Sequence, residues 1–161
     1  CMVGDFAVGK TSLVARFVHS TFGERYLTTV GVKVDTKVIR LPSGDDIKLV
    51  IWDIAGKSAL AAIDTSYLRD ASGYLLVIDG TRPETCDSAM TLQTDVERAI
   101  GPTPFSVMLN KADLAGQWSL SDAQMSGMKS RGWPQHTTSA LSGAGVEQSF
   151  STLGAQLVTG L

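Results

Sequence analysis

Apolar positions along the chain switch repeatedly between two spacings, and the switches mark out its elements. Cys1 to Val3 is a short apolar run stopped by Gly4. Between Lys10 and Phe22, the residues Leu13, Val14, Phe17 and Val18 recur at helical spacing. From Val30 to Leu41 apolar and polar residues alternate as in a strand. The turn Pro42-Ser43-Gly44-Asp45-Asp46 follows, and Ile47 to Ile54 reads as a second strand. That pair predicts a β-hairpin. Lys57 to Arg69 sets Leu60, Ile63, Tyr67 and Leu68 on one helical face. Tyr74-Leu75-Leu76-Val77-Ile78 is wholly apolar, as expected of a strand covered on both faces. Glu84 to Ile100 is a helix with Met90, Leu92, Val96 and Ile100 available to a core. Phe105 to Leu109 is another buried strand, and Ser121 to Lys129 a polar, exposed helix. Gln135 to Ser139 gives a last strand and Val146 to Leu161 a last helix. No repeat, low-complexity tract or linker interrupts the series.

Strands alternating with helices predict an α/β fold with right-handed crossovers. Six strands form a mostly parallel sheet with helices on both faces, and the hairpin supplies one antiparallel edge strand. Ligands of such sheets bind beyond the carboxyl ends of the strands. The chain has 161 residues, a length that fits one domain, residues 1–161. With 43% hydrophobic and 19% charged residues it has the balance of a globular protein. A net charge of −2, from 14 basic and 16 acidic side chains, points to no nucleic-acid partner. Cys1 and Cys86 are too few for a disulfide framework and have no metal-ligand spacing. No apolar run is long enough to span a membrane. The last residues hold no cysteine or basic run for a lipid anchor, so the expected location is cytoplasmic. The chain opens at Cys1, inside a predicted strand, so a longer natural N-terminus is expected.

Candidate chemistry sits just after the predicted strands. Gly4-Asp5-Phe6-Ala7-Val8-Gly9-Lys10-Thr11 matches GxxxxGK[ST], between a strand and a helix. Glycines let the backbone turn so that successive N–H groups form an anion cradle. The following helix aims its positive dipole end at the same place. Lys10 supplies a charge for the β- and γ-phosphates, and the Thr11 hydroxyl can ligate Mg²⁺. The plainer alternative is a glycine turn without a ligand. A phosphate loop alone does not select the base, because kinases, ATPases and GTPases share it.

The base is addressed by Asn110-Lys111-Ala112-Asp113, directly after Phe105 to Leu109. A carboxylate only accepts, so Asp113 can take the N1–H and N2–H₂ donors of guanine. Adenine lacks that pair, and a wrong base leaves polar groups unpaired. Asn110 can brace the loop, and the Lys111 stem can lie along the ring. Thr138-Ser139-Ala140 follows the last strand, where the Ala140 N–H can face the guanine O6. Taken alone, each of these short patterns is also an ordinary turn.

With Thr29-Val30-Gly31-Val32 and Trp52-Asp53-Ile54-Ala55-Gly56, these motifs resemble the Ras superfamily of small GTPases, and its Rab branch most closely. The resemblance implies a Ras-like G domain that binds GTP or GDP with Mg²⁺ and hydrolyses GTP. It assigns nucleotide contacts to Phe6, Ala7, Val8, Gly9, Lys10, Thr11, Ser12, Phe22, Tyr26, Thr29 and Gly56. At the base it assigns Asn110, Lys111, Asp113, Ser139, Ala140 and Leu141. Thr11, Thr29 and Asp53 form the metal set, the last through a bound water. Lys10, Thr29, Gly56 and Lys57 surround the γ-phosphate as the catalytic candidates. Thr29 and Gly56 would be released when that phosphate is lost. Val34, Trp52 and Tyr67 align with the aromatic triad that Rab-like proteins show to effectors and regulators; a core role for Trp52 is the alternative.

Two departures bear on hydrolysis. Lys57 stands where the family has its catalytic glutamine, and a protonated lysine has three donors and no acceptor for a water. It could stabilise γ-phosphate charge instead. Phe6 stands where relatives carry a small residue; it either crowds the γ-phosphate or folds back against the Lys57 to Arg69 segment. A third departure, Leu141 for lysine, removes one contact to the base. Slow hydrolysis is therefore expected. A pseudo-GTPase scaffold and a G domain of a larger protein are the alternatives, and a P-loop kinase or ATPase fits poorly with NKxD.

Overall fold

One six-stranded sheet runs in the order β2-β3-β1-β4-β5-β6, in a computed structural model that describes residues 1–23, 28–56 and 64–160. The strands are β1 (Met2–Gly4), β2 (Val32–Arg40), β3 (Asp46–Ile54), β4 (Tyr74–Asp79), β5 (Phe105–Asn110) and β6 (Gln135–Thr137). The helices are α1 (Lys10–His19), α2 (Glu84–Ile100), α3 (Asp122–Ser130) and α4 (Val146–Thr159). Every pairing is parallel except β2 with β3, the edge hairpin, where Val32 faces Ile54 and Arg40 faces Asp46.

The alternation along each central strand divides the core into two layers. Met2, Leu75, Val77 and Met108 face α1 and α4, where Phe17 and Phe150 stack with centroids 3.8 Å apart. Val3, Leu76, Ile78, Val107 and Leu109 face α2 and α3. A strand such as β4, buried at all six positions, has no polar face to offer, which is why it is apolar from Tyr74 to Ile78 and turns polar only at its last residue, Asp79. Among the described residues no helix is long and apolar enough to cross a membrane.

Several boundaries differ from the sequence expectation for local reasons. α1 stops at His19 rather than Phe22 because Ser20 turns left-handed, at φ 54. The Ser20 N–H then closes on the Arg16 carbonyl at 3.1 Å, a capping pattern that ends helices. α3 begins after Ser121, whose hydroxyl accepts the Gln124 N–H while the Gln124 side chain accepts the Ser121 N–H, a reciprocal cap. It is not wholly exposed, since Met128 is fully buried. β6 ends at Thr137 because the Ser139 N–H turns to the Ala144 carbonyl and starts a loop. Of the expected 57–69 helix, residues 57–63 lie outside the described residues, and Thr65–Leu68 is a short 3-10 turn capped by Asp64. A second 3-10 stretch, Ala112–Gln117, follows β5 and carries Asp113.

Candidate functional site

The loop from Gly4 to Gly9 joins β1 to α1, and each of its first five carbonyls accepts a side-chain donor. Lys10 Nζ donates to Gly4 O at 3.0 Å and to Asp5 O at 2.8 Å. Arg82 Nη2 donates to Phe6 O at 2.7 Å, Lys111 Nζ to Ala7 O at 3.1 Å, and Asn110 Nδ2 to Val8 O at 3.0 Å. A trans peptide holds its C=O and the next N–H on opposite sides. Fixing the carbonyls of Phe6, Ala7 and Val8 therefore turns the N–H groups of Ala7, Val8 and Gly9 the other way. Those N–H groups, with the first-turn N–H groups of α1 at Lys10, Thr11 and Ser12, are the cradle that the sequence pattern requires. Asp5 steadies the entry to the loop: Oδ1 accepts the Phe6 N–H at 2.7 Å, and Oδ2 accepts the Ser88 hydroxyl at 2.9 Å.

Two glycines have steric reasons to be there. Gly9 sits at φ 102, and a Cβ on it would run into the Asn110 side-chain amide. A Gly56 Cβ would lie 2.5 Å from Lys10 Nζ and 2.7 Å from Asp5 O, so only bare backbone can close on the Lys10 end. Gly9→Ala is expected to combine left-handed strain with loss of the Asn110–Val8 bond, about 2 kcal/mol or more. For a chain of this length that lowers Tm by roughly 4–8 °C. A melting curve checks it; an unchanged Tm would mean that the loop accommodates the methyl group.

Beside Lys10 lies a cluster of hard oxygens. Thr11 Oγ1 donates to Asp53 Oδ2 at 2.5 Å and lies 2.6 Å from Thr29 Oγ1. Asp53 is 1% exposed, and its Oδ1 is buried without a hydrogen-bond partner. Burial pushes the Asp53 carboxyl above its ordinary range, against the Thr11 hydroxyl bond and the charges of Lys10 and Lys33. Two hydroxyls and an orphaned carboxylate oxygen suit Mg²⁺, which takes one or two carboxylates and retains waters. The residues therefore fit the ion. No group of three His, Cys, Asp or Glu that could hold a metal exists among the described residues, so the fit rests on the two threonine hydroxyls together with Asp53. Lys10 is itself 6% exposed, and burial pushes its ammonium down to about 8 against the opposing pull of Asp53 and Asp5.

At the other end, Asn110 is buried, and its Oδ1 accepts the Thr138 hydroxyl at 3.3 Å. Lys111 takes a left-handed φ of 69, which swings Asp113 out past the end of β5. Asp113 is exposed, and its Oδ1 accepts the Ser139 hydroxyl at 2.7 Å. The Ser139 oxygen in turn accepts the Ser142 N–H at 3.0 Å. Ala140 is buried and Leu141 is exposed. Arg16 from α1 holds both their carbonyls, with Nε 2.7 Å from Ala140 O and Nη2 2.5 Å from Leu141 O.

The structure thus brings Asn110, Lys111, Asp113, Ser139 and Ala140 to the same rim as the cradle. Phe22 lies half-buried against the α1–α4 layer. Phe6 is 47% exposed; residues 57–63 of the segment against which it was expected to fold, Lys57 among them, lie outside the described residues, as does Tyr26. Val34 pairs with Trp52 across the hairpin, and the Trp52 ring lies 6.4 Å from that of Tyr67. Trp52 is 36% exposed, so it is a surface rather than a core residue. The sequence reading missed Arg16, Asp79, Arg82 and Ser88. No motif contains them, and only their reach to loop carbonyls and to Asp5 reveals them.

The geometry matches what comparison with known proteins finds: the model of the Ras family covers residues 1–159. This chain belongs to the Ras family. Ras-related protein Rab-7L1 of Rattus norvegicus is 34% identical over 129 residues, 77% of this chain. The Homo sapiens Rab-7L1 shows the same identity, and Rab-32A of Dictyostelium discoideum is 33% identical over 119 residues, 70% of this chain. Matches span 63% of the two Rab-7L1 proteins and 54% of Rab-32A, less than two thirds of those relatives. Within the family the chain is a Rab-like small GTPase, and its mixed sheet is that of a Ras-like G domain.

Proposed function

We propose that this Ras-family chain is a guanine-nucleotide switch: residues 1–161 act as one G domain that binds GTP or GDP with Mg²⁺ and hydrolyses GTP slowly. One observation carries the reading. Asn110 and Lys111, the neighbours of Asp113, donate directly to the loop carbonyls of Val8 and Ala7. The base reader and the phosphate cradle are therefore one bonded unit that faces one ligand.

Each residue has a chemical task in that reading. Asp113, steadied by Ser139, accepts the guanine N1–H and N2–H₂. The Ala140 N–H meets O6, and Lys111 and Phe22 flank the ring. The N–H groups from Ala7 to Ser12 and the Lys10 ammonium neutralise phosphate oxygens. Thr11, Thr29 and Asp53 hold the metal, which when bound draws charge from the β- and γ-phosphates. Thr29 and Gly56 sense the γ-phosphate, and Tyr26 is the residue to which the family resemblance assigns covering the phosphates. The Ala55 N–H donates to Gly31 O at 2.9 Å, so the segments carrying Thr29 and Gly56 are tied together near the site.

Slow turnover follows from side-chain chemistry. A lysine at 57 cannot accept a proton from an attacking water while it is charged. An exposed aromatic ring at Phe6 stands beside the cradle, where a water or an inserted arginine would need room. The same two residues support a pseudo-GTPase scaffold as the second reading. Val34, Trp52 and Tyr67 form the surface offered to protein partners, and an exposed tryptophan is a suitable anchor. Two free thiols agree with a cytoplasmic setting.

The test is the purine nucleotide that copurifies, identified and quantified, followed by single-turnover GTP hydrolysis. GDP or GTP near one equivalent is expected, with turnover below about 10⁻⁴ s⁻¹. A preparation without guanine nucleotide, or one that prefers adenine, overturns the reading. Turnover at or above about 4 × 10⁻⁴ s⁻¹ that is unaffected by Lys57→Ala would remove the proposed slow step. No detectable turnover would favour the scaffold.

A further inference from the structure

Asp79 closes β4 with a fully buried side chain that no nucleotide motif explains. Its Oδ2 lies 2.9 Å from Arg82 Nε and 2.8 Å from Lys111 Nζ, and its Oδ1 accepts the Thr81 N–H and hydroxyl at 2.9 and 2.7 Å. Arg82 is thereby fixed at its Nε, and its Nη2 reaches Phe6 O at 2.7 Å. The next residue, Ala7, has φ 58. A left-handed φ is strained for any residue with a Cβ.

These two facts are linked. A peptide unit can flip about the flanking Cα–Cα axis, reversing its C=O and N–H together. Flipping the Phe6–Ala7 peptide would carry Ala7 from φ 58 into the negative-φ region that an L-residue prefers. It would also point a carbonyl, instead of an N–H, at the phosphate position. Local strain thus favours the wrong peptide orientation, and the Arg82 bond opposes it.

We propose that Arg82 is a positioning residue for phosphate binding: anchored on Asp79, it holds the Phe6 carbonyl away and keeps the Ala7 N–H turned into the cradle. The inference rests on the nucleotide-binding reading above and adds a determinant of nucleotide residence time. Lys111 guards the following peptide through Ala7 O, so the Asp79 carboxylate anchors both donors that hold the strained residue.

The test is the release rate of N-methylanthraniloyl-GDP from the full chain into excess GDP with Mg²⁺. Losing a charge-assisted hydrogen bond predicts release about tenfold faster in Arg82→Ala. Arg82→Lys falls between, because one ammonium cannot serve Asp79 and Phe6 O with the geometry of a guanidinium fork. Glycine takes φ 58 without strain, so Ala7→Gly removes the drive to flip. The double variant Ala7→Gly/Arg82→Ala is expected to release within about twofold of Ala7→Gly alone. A merely structural Arg82 would not be rescued in this way. Wild-type release from Arg82→Ala overturns the inference, as does a double variant as fast as Arg82→Ala. Should Arg82→Ala not fold, Arg82→Lys with and without Ala7→Gly decides by the same criterion. A wild-type chain that binds no labelled GDP overturns the nucleotide reading itself, a result distinct from binding that Arg82 does not affect.

Discussion

Asp113→Asn is expected to weaken GDP binding by roughly a hundredfold, the cost of leaving polar groups unpaired between the side chain and the bound base, and to improve xanthosine diphosphate binding. The reason lies in donor and acceptor counts. The exposed carboxylate keeps one oxygen on the Ser139 hydroxyl at 2.7 Å and offers only acceptors to guanine. Asparagine presents an NH₂ group, which meets the guanine N2–H₂ donor to donor. Xanthine has a carbonyl at that carbon, so the same NH₂ finds an acceptor. The Asn carbonyl can still accept from Ser139, so the loop should hold. Competition of both diphosphates against labelled GDP checks the exchange. Equal GDP affinity in the variant would mean that Asp113 does not read the base.

Lys10→Met should cost the phosphate end still more, with nucleotide affinity down by at least about a hundredfold. Methionine nearly matches the length of the lysine stem but has no charge and no N–H. The lost cation is 6% exposed and sits 3.0 and 2.8 Å from two loop carbonyls, where water cannot replace it. The nucleotide-free fold should suffer less. Removing a desolvated ammonium recovers part of what the unpaired Gly4 and Asp5 carbonyls lose. The signature is therefore a large fall in labelled-GDP affinity with a Tm change of only a few degrees in the nucleotide-free protein. A large Tm loss with binding preserved would assign Lys10 to the fold instead.

The layers of the fold were legible because burial on two faces forces apolar runs, as from Tyr74 to Ile78 in β4. The hairpin was legible from its alternation and its polar turn. The GxxxxGK[ST] turn and NKxD stood out in the sequence because the chemistry proposed for them needs fixed residue types at fixed spacing, whereas the bonds from Asn110 and Lys111 to the carbonyls of that turn did not. Helix ends were less so: Ser20 ends α1 by taking a left-handed φ, which nothing in its residue type demands. Arg82 and Arg16 were not legible at all. Each acts through backbone carbonyls far along the chain, and a carbonyl acceptor has no sequence of its own. Asp79 lies one residue past the apolar run Tyr74 to Ile78, and nothing in the sequence marks it until its three partners are seen.

Arg16 has one more consequence. α1 carries Lys10 and Thr11 at its start, and from its middle Arg16 grips the Ala140 and Leu141 carbonyls. One ten-residue rod therefore sets the span between the loop that precedes it and the Ala140–Leu141 segment. A ligand whose length fits that span gains by chelation: once one end docks, the other faces its partners at high effective concentration. On the proposed reading, guanosine or pyrophosphate alone would forfeit that advantage, and the whole nucleotide would be held more tightly than its separate halves suggest.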